Sequence, residues 1–248
     1  MADLTDGAVD LLLGGRCLGC GRGGRPLCAE CRAALPRAGR PAWPDPTPAG
    51  LAPPWAAAEY ADLVRSLVIA HKERGLASLR HPLGALLASA VAAGVRSHCP
   101  VVLVPVPSRR AARRERGGDP TLALVRAGAR DLRAGGLDVL VARVLELRTG
   151  VRDQAGLAAA ERADNLAHSM WAPAGRVARL AAWRSQVQVV VCDDVLTTGA
   201  TAREAQRALE SVGITVAAVA TVAATRRRAW TTHSRSSGVS LSPGSGTD

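Results

Sequence analysis

VVVCDDVLTTGAT, residues 189–201, is the most informative segment of this 248-residue chain. An apolar, β-branched run leads into two carboxylates, Asp193 and Asp194, and a short loop then leads into a helical pattern. A strand that is apolar on both faces is typical of a parallel sheet covered by helices. In open α/β sheets ligands bind beyond the carboxyl ends of the strands, so we expect a binding site here.

The loop after this strand has the composition of an anion cradle. Thr197, Thr198 and Thr201 offer hydroxyls, and Gly199 lets the backbone approach a ligand closely. The N-terminus of the helix that we expect near Thr201, just after Ala200, favours an anion. Because the two carboxylates suit sugar hydroxyls, the segment predicts a sugar-phosphate site. The alternative is a strand and a capped helix with an incidental acid pair.

Strand-like and helix-like patterns alternate through the rest of the chain. The predicted strands are residues 56–60, 101–106, 139–145, 187–192 and 215–222. The predicted helices are residues 61–70, 82–96, 121–132, 156–166 and 202–212, the last with Ala205, Ala208, Leu209 and Val212 facing inward. This alternation predicts an α/β fold with a mostly parallel sheet and helices on both faces.

Composition divides the chain into four regions. Residues 1–35 hold a cysteine cluster, and residues 36–55 are so rich in proline that we expect a linker without a helix or a central strand. Residues 56–230 carry the α/β pattern. Residues 231–248 are rich in serine and glycine with little apolar content, so we expect a disordered tail.

The cysteine cluster has the spacing of a closed zinc site. Cys17 and Cys20 form one CxxC pair, Cys28 and Cys31 form a second, and glycines on both sides of Cys20 give the first turn its freedom. Two such turns supply four thiolates for a tetrahedral, structural Zn²⁺. Disulfides, another metal and redox use of a CxxC pair are the alternatives.

Charge and hydropathy limit the function classes. The net charge of +11 fits either a solvated basic surface or attraction to a polyanion such as nucleic acid. The aromatic content of 2 % argues against a reader of single-stranded nucleic acid, since such proteins stack bases on aromatic rings. No apolar run is long enough for a membrane span, and residues 1–10 lack a basic start, so we expect a cytoplasmic protein without membrane insertion.

Several motifs together resemble one family. The segment at 189–201 is similar to the motif that binds phosphoribosyl pyrophosphate (PRPP) in type I phosphoribosyltransferases. HKERG at 71–75, VPVP at 104–107 and RERG at 114–117, with the cysteine module ahead of them, narrow the resemblance to the competence-associated ComF family. A further motif of that family, Q-x2-L-x4-R-x2-N, matches Gln154, Leu157, Arg162 and Asn165.

The resemblance implies a type I phosphoribosyltransferase-like fold that binds PRPP with Mg²⁺. Asp193 and Asp194 would be the catalytic acids, holding the ribose hydroxyls directly or through the metal, and the loop from Thr197 to Thr201 would hold the 5′-phosphate. The candidate pyrophosphate contacts are Lys72, Pro107, Ser108, Arg114 and Arg116. The turn at 106–108 has an ordinary rigid turn as its alternative. The arginine-rich segment 109–116 could instead be solvated or contact nucleic-acid phosphates.

Three functions remain open at this point. The first is a phosphoribosyltransferase that acts on a nitrogenous acceptor. The second is a non-catalytic PRPP-binding module that serves DNA uptake through single-stranded DNA or partner proteins. Gly118-Asp119-Pro120, which replaces the family's usual Phe-Asn-Gln, favours this second function or an unusual acceptor. Val151, in place of a common threonine, is a further departure from the family pattern. The third is a zinc-dependent nucleic-acid binder that uses the arginine segment.

Overall fold

A computed structural model describes residues 15–108, 118–148, 168–181 and 186–225. Within those ranges it is an α/β structure with a mostly parallel six-stranded sheet flanked by helices, as the sequence predicts. The strands are β1 (Arg40–Pro41), β2 (Pro54–Glu59), β3 (Val101–Pro105), β4 (Val139–Val141), β5 (Glu146–Leu147), β6 (Met170–Trp171), β7 (Gln188–Leu196) and β8 (Val216–Ala224). The helices are α1 (Ala29–Ala33), α2 (Asp62–Glu73), α3 (Arg80–Gly94), α4 (Pro120–Ala134), α5 (Ala174–Ala181) and α6 (Ala200–Glu210).

The main sheet has the order β1-β2-β8-β7-β3-β4. Only the pair β1–β2 is antiparallel, and the other four pairs are parallel. Strands β5 and β6 form a separate antiparallel pair. The interior strands β8, β7 and β3 are mostly apolar on both faces because helices cover each face of the sheet.

The core consists of two apolar layers, one on each face of the sheet. The first layer packs α2, α3 and α4 against the sheet, and its fully buried members include Leu67, Leu83, Leu87, Leu124 and Val190. The second layer packs α5 and α6 against the opposite face, with Leu180, Val191 and Leu209 among its buried members. Burial of this apolar surface is the main favourable contribution to folding.

Strand β7 is longer than the sequence predicts. The expected strand at 187–192 ended before the acid pair, whereas β7 continues through Asp193 and Asp194 to Leu196. Its pairing with the equally long β8 accounts for this, because Asp193 lies opposite Thr221 and Leu196 lies opposite Ala224. The acid pair is therefore held on rigid strand backbone rather than in a loop.

Most other predicted elements also differ from the structure in their bounds by a few residues. The strand expected at 139–145 ends at Val141, because the chain leaves the edge of the sheet there. The helix expected at 202–212 begins and ends two residues earlier, at Ala200 and Glu210. Val212, which we expected to face inward, lies beyond the helix and is 37 % exposed.

The proline-rich segment 36–55 packs against the sheet instead of serving only as a spacer. It contributes the edge strand β1, and Leu51 and Ala52 are buried in the second core layer. Gln206 of α6 holds it through hydrogen bonds to Ala52 N and Gly50 O, both 2.9 Å. Proline is compatible with this arrangement because an edge strand leaves one row of backbone groups unpaired.

Across the described ranges, none of the helices combines the length and the apolar character that crossing a membrane requires. The helix predicted at 156–166 and the tail predicted at 231–248 lie outside the described residues.

Candidate functional site

Asp194 is bound in an ion pair that the sequence does not reveal. Its Oδ2 lies 2.7 Å from Lys72 Nζ, and its side chain is only 12 % exposed. Lys72 is in the last turn of α2, so the pair joins this helix to strand β7. The sequence predicted Lys72 as a pyrophosphate contact and Asp194 as a ligand of ribose hydroxyls. In the structure each satisfies the charge of the other.

Asp193 is the more available member of the acid pair. It is partly buried, and its Oδ1 accepts a hydrogen bond from Asp194 N at 2.8 Å. Burial raises the pKa of Asp193 well above its usual range, the negative charge of Asp194 raises this pKa further, and the Lys72 ammonium opposes both. A carboxyl with a strongly raised pKa at a strand end is typical of a functional site, because a cation or hydrogen-bond donors can offset its charge.

The predicted phosphate loop follows β7 directly. Thr197 and Thr198 are exposed, and Ala200 and Thr201 form the first turn of α6. Thr198 Oγ1 accepts a hydrogen bond from Ala200 N at 3.4 Å. The first amides of a helix have no partners within that helix, so this end of α6 can receive an anion.

Gly199 has a structural role in addition to the phosphate contact that the sequence predicts. It adopts φ of +78°, and a Cβ added to it would lie 3.1 Å from Pro44 Cγ and 3.3 Å from both Leu51 Cδ2 and Pro48 Cγ. The side of Gly199 that lacks a side chain therefore faces the proline-rich segment. Its left-handed backbone and this close packing explain the need for glycine without reference to a ligand.

The second strand end of the site is that of β3. Pro105 pairs with Cys192, and Val106 N donates to Cys192 O at 2.9 Å, so the turn through Pro107 and Ser108 leaves the sheet beside the acid pair. A small cavity of about 50 Å³ adjoins this turn. It is lined by Pro105, Pro107, Ser108, Asp119, Arg143, Leu145, Glu146, Leu147 and Arg176.

Asp119 holds this turn and starts helix α4. Its Oδ1 accepts hydrogen bonds from Ser108 Oγ at 2.8 Å and from Leu122 N at 3.2 Å, and Pro120 occupies the first turn of the helix. An aspartate at the N-cap followed by proline is a strong helix start. The segment that departs from the family pattern therefore has a structural role, and Ser108 uses its hydroxyl within the protein.

Asp119→Ala is expected to lower the free energy of unfolding by about 1–2 kcal/mol, because the alanine cannot accept the hydrogen bond from Leu122 N. Asp119→Asn keeps an acceptor oxygen and is the matched control, for which we expect a much smaller loss. Urea denaturation of the three proteins measures the difference. Equal stabilities for Asp119→Ala and the wild type would show that the cap contributes nothing.

His71 is a site neighbour that sequence reasoning missed. It is 8 % exposed, its Nδ1 lies 3.4 Å from Leu76 O, and its Nε2 lies 3.3 Å from Pro120 O. These contacts tie the end of α2 to the start of α4, and so hold the turn from which Lys72 reaches Asp194. Its place in the HKERG motif, directly before Lys72, is the signal that could have identified it.

The four cysteines meet as their spacing predicts. The sulfur atoms of Cys17, Cys20, Cys28 and Cys31 lie within 4.8 Å of one another, close enough to share one zinc ion. A Cβ on Gly19 would lie 2.8 Å from Cys31 Sγ and 3.3 Å from Leu63 Cδ1, so only glycine fits at this turn. The contact also shows that the cysteine module packs on helix α2.

The electrostatics of the cluster favour a bound cation. Burial opposes ionisation of Cys17, but hydrogen bonds from the backbone of Cys28, Cys20 and Gly19 outweigh it and lower the pKa of Cys17 to about 6. Hydrogen bonding to Cys28 and Cys17 raises the pKa of Cys31 to about 12. Four thiolates can therefore coexist only if a cation offsets their charge, as a structural metal does.

Purified, reduced protein is expected to contain about one Zn²⁺ per chain, and Cys20→Ala is expected to lose it because the remaining three thiolates leave an open position. Cys99→Ala, which removes a cysteine outside the cluster, is the control and should keep the metal. Elemental analysis of the three proteins provides the measurement. A metal-free wild type, prepared without chelator, would exclude the zinc site.

Several predicted residues lie outside the described ranges. These are Arg114, Arg116, Gln154, Leu157, Arg162 and Asn165. Their predicted roles stay predictions. Among the described residues, the structure brings together the acid pair, Lys72, the turn at 107–108 and the start of α6 at the carboxyl ends of β3 and β7.

A scan against protein-family models finds no match, and a search of curated proteins finds none that is similar to this chain. The sequence motifs and the geometry of the site are therefore what supports a function for this protein.

Proposed function

We propose that this protein is a ComF-like, type I phosphoribosyltransferase that binds PRPP with Mg²⁺ and transfers the phosphoribosyl group to a nitrogenous acceptor. The observation that carries the proposal is one strand–loop–helix unit with two functions. It presents a carboxylate of raised pKa at Asp193 and an anion-binding helix start at Ala200 and Thr201. A sugar phosphate carries hydroxyls and a phosphate that match these two groups.

The roles of the two acids differ in this proposal. Asp193 would hold the ribose hydroxyls or the Mg²⁺ that accompanies PRPP, because a nearby cation stabilises its charged form. Asp194 is already paired with Lys72, at 2.7 Å, and would act by orienting β7 and by tuning the charge of Asp193. In this proposal Lys72 would therefore be a positioning residue and not the pyrophosphate contact that the sequence predicts.

The 5′-phosphate would bind at the N-terminus of α6. The exposed hydroxyls of Thr197 and Thr198 and the first amides of the helix supply donors there. Gly199 would contribute by giving the loop its left-handed turn, and its packing on Pro44 would keep that turn in place. The pyrophosphate would extend toward the turn at 107–108, where Pro107 lines the small cavity.

The reaction would be a substitution at the ribose C1. The bond from C1 to the pyrophosphate oxygen breaks, and pyrophosphate leaves with the electron pair. A bond from the acceptor nitrogen to C1 forms, and the proton of that nitrogen passes to solvent or to a basic group. Mg²⁺, when bound, neutralises the pyrophosphate. The protein's contribution would be positional and electrostatic, since the acceptor nitrogen is itself the nucleophile and the reaction needs none from the protein.

The cysteine module would carry a structural Zn²⁺ in this protein. A closed set of four thiolates leaves no position for substrate, so the metal would stabilise the fold around α1 and not take part in the transfer.

Pyrophosphate release tests whether the protein is an enzyme. Incubation of the wild type with Mg-PRPP and a panel of purines, pyrimidines and aryl amines should release pyrophosphate with at least one acceptor, as followed by phosphorus NMR. Binding of PRPP without turnover by any acceptor would instead support the second candidate, a PRPP-binding accessory module. The structural role of Asp119, which replaces an expected site residue, is the observation that favours this candidate.

A further inference from the structure

A groove of about 400 Å³ follows the outer edge of the main sheet. Strand β4 forms its floor, with α4 on one side and α5 on the other, because these helices pack in opposite core layers. The lining residues are Leu122, Arg126, Leu140, Val141, Ala142, Arg143, Val144, Arg176, Arg179 and Leu180. The groove is therefore aliphatic at its floor and carries four arginines.

The floor of the groove presents the outer edge of β4, where backbone N–H and C=O groups face away from β3. Val101 N donates to Asp138 O, and Ala142 N donates to Leu103 O, so the even-numbered residues of this strand bond to β3. Residues 139, 141 and 143 consequently direct their backbone groups outward, since the direction alternates along a strand.

Arginines already occupy the two ends of this edge. Arg133 Nε donates to Val139 O, and Arg176 Nη1 donates to Arg143 O, both at 2.9 Å. Within the described residues no such bond reaches Val141, which lies between them. The length of exposed edge is thereby limited to the width of the groove, where one extended segment can pair.

The arginines give the groove a positive charge that is only partly compensated. Arg176 pairs with Glu146. Arg126 and Arg179 are exposed, one on each helix, and neither forms an ion pair with a carboxylate in the described part of the chain. Guanidinium groups bind carboxylates through paired hydrogen bonds, so the rim fits an acidic ligand.

We propose that this groove binds an extended, acidic peptide segment of a partner protein, which adds a strand beside β4. The outward backbone N–H and C=O of Val141 would pair with the peptide backbone. The aliphatic floor would receive the valine or leucine side chains of the peptide, and Arg126 and Arg179 would bind its carboxylates. This is the mode in which backbone hydrogen bonds supply affinity and flanking side chains supply selectivity. The proposal does not depend on the proposed transferase activity.

The lining favours a peptide over a nucleic acid. A polyanion would also be attracted to the arginines, but none of the described residues that line the groove is aromatic. Binding of single strands relies on stacking of bases on aromatic rings. The open edge of β4, moreover, offers C=O as well as N–H groups. This matches the donor and acceptor spacing of an extended peptide, whereas a phosphate chain has no donor for the carbonyls.

Fluorescence anisotropy with the full-length protein tests the proposal. The probe is a fluorescein-labelled peptide built only from glutamate and valine, and we expect it to bind with micromolar affinity. The double variant Arg126→Glu with Arg179→Glu should bind it at least tenfold more weakly, about the loss expected from one charge-assisted contact. Arg65→Glu with Arg96→Glu makes the same change in net charge at exposed positions outside the groove and should leave the affinity nearly unchanged.

A backbone variant tests the strand pairing separately. Val141→Pro removes the outward N–H and should reduce the affinity at least tenfold, whereas Val141→Thr keeps it and should bind normally. If Val141→Pro does not fold, the affinities of the two double arginine variants test the proposal. The proposal is wrong if the peptide does not bind, if the groove variants bind it like the wild type, or if oligothymidylate binds in its place and loses affinity with the same arginine changes.

Discussion

Asp193→Asn is expected to weaken Mg²⁺-dependent binding of PRPP about tenfold to hundredfold, because it removes one charge-assisted contact while keeping the shape of the side chain. The asparagine oxygen can still accept the hydrogen bond from Asp194 N, so the strand should be undisturbed. Asp131→Asn neutralises an exposed carboxylate on α4 and should bind PRPP like the wild type.

The same substitution is expected to raise the melting temperature at neutral pH. Asp193 has a pKa in the folded protein well above its usual range, so at neutral pH its ionisation favours the unfolded chain. Below about pH 3 the carboxyl is mostly protonated in both states, and the variant should lose its advantage. The advantage should grow as the pH rises from there and level off above the raised pKa. A variant that is less stable at neutral pH would contradict this electrostatic interpretation.

Lys72→Met is expected to destabilise the fold by about 2 kcal/mol, since it leaves Asp194 buried without its partner. Breaking a fully buried ion pair costs about 3–5 kcal/mol. Lys72 is 45 % exposed, however, so water screens part of the lost attraction and the cost is reduced. The free energy of unfolding from urea denaturation measures the effect.

Two further variants separate positioning from direct contact with the ligand. Lys72→Arg keeps the positive charge and should retain most of the stability. Lys72→Met combined with Asp194→Asn removes both charges and should recover much of the loss, because the two residues interact. Lys72→Met should also raise the pKa of Asp193 further, since the ammonium lowers it. Loss of PRPP binding with unchanged stability would instead identify Lys72 as a pyrophosphate contact.

Much of the candidate site could be predicted from local sequence motifs. The acid pair, the phosphate loop and the four cysteines each lie within a short stretch, so residue type and spacing alone bring their side chains together. Lys72 and Asp194 meet only because α2 packs on the sheet beside β7, and no local pattern encodes that contact. For the same reason the sequence assigned Lys72 to the ligand and not to Asp194.

The differences between the predicted and the observed elements arise from contacts between segments that are distant in sequence. Aspartate is uncommon in strands, yet β7 continues through two of them because β8 offers an apolar partner of equal length. Proline predicted a linker at 36–55, yet Ala42 N pairs with Pro54 O at the sheet edge, where a missing N–H costs little. Gly199 was assigned to a phosphate, yet its conformation is also required for contact with Pro44 and Leu51.

Calorimetric titration of the wild-type chain with PRPP, with and without Mg²⁺, tests the proposed site most directly. We expect saturable binding with Mg²⁺, much weaker binding without it, and the predicted loss of the Mg²⁺-dependent part in Asp193→Asn. Gly199 is unsuited to this test because its replacement would disturb the contact with the proline-rich segment. Folded wild-type protein that shows no heat of binding with millimolar Mg-PRPP, or an Asp193→Asn variant that binds like the wild type, would contradict the proposal.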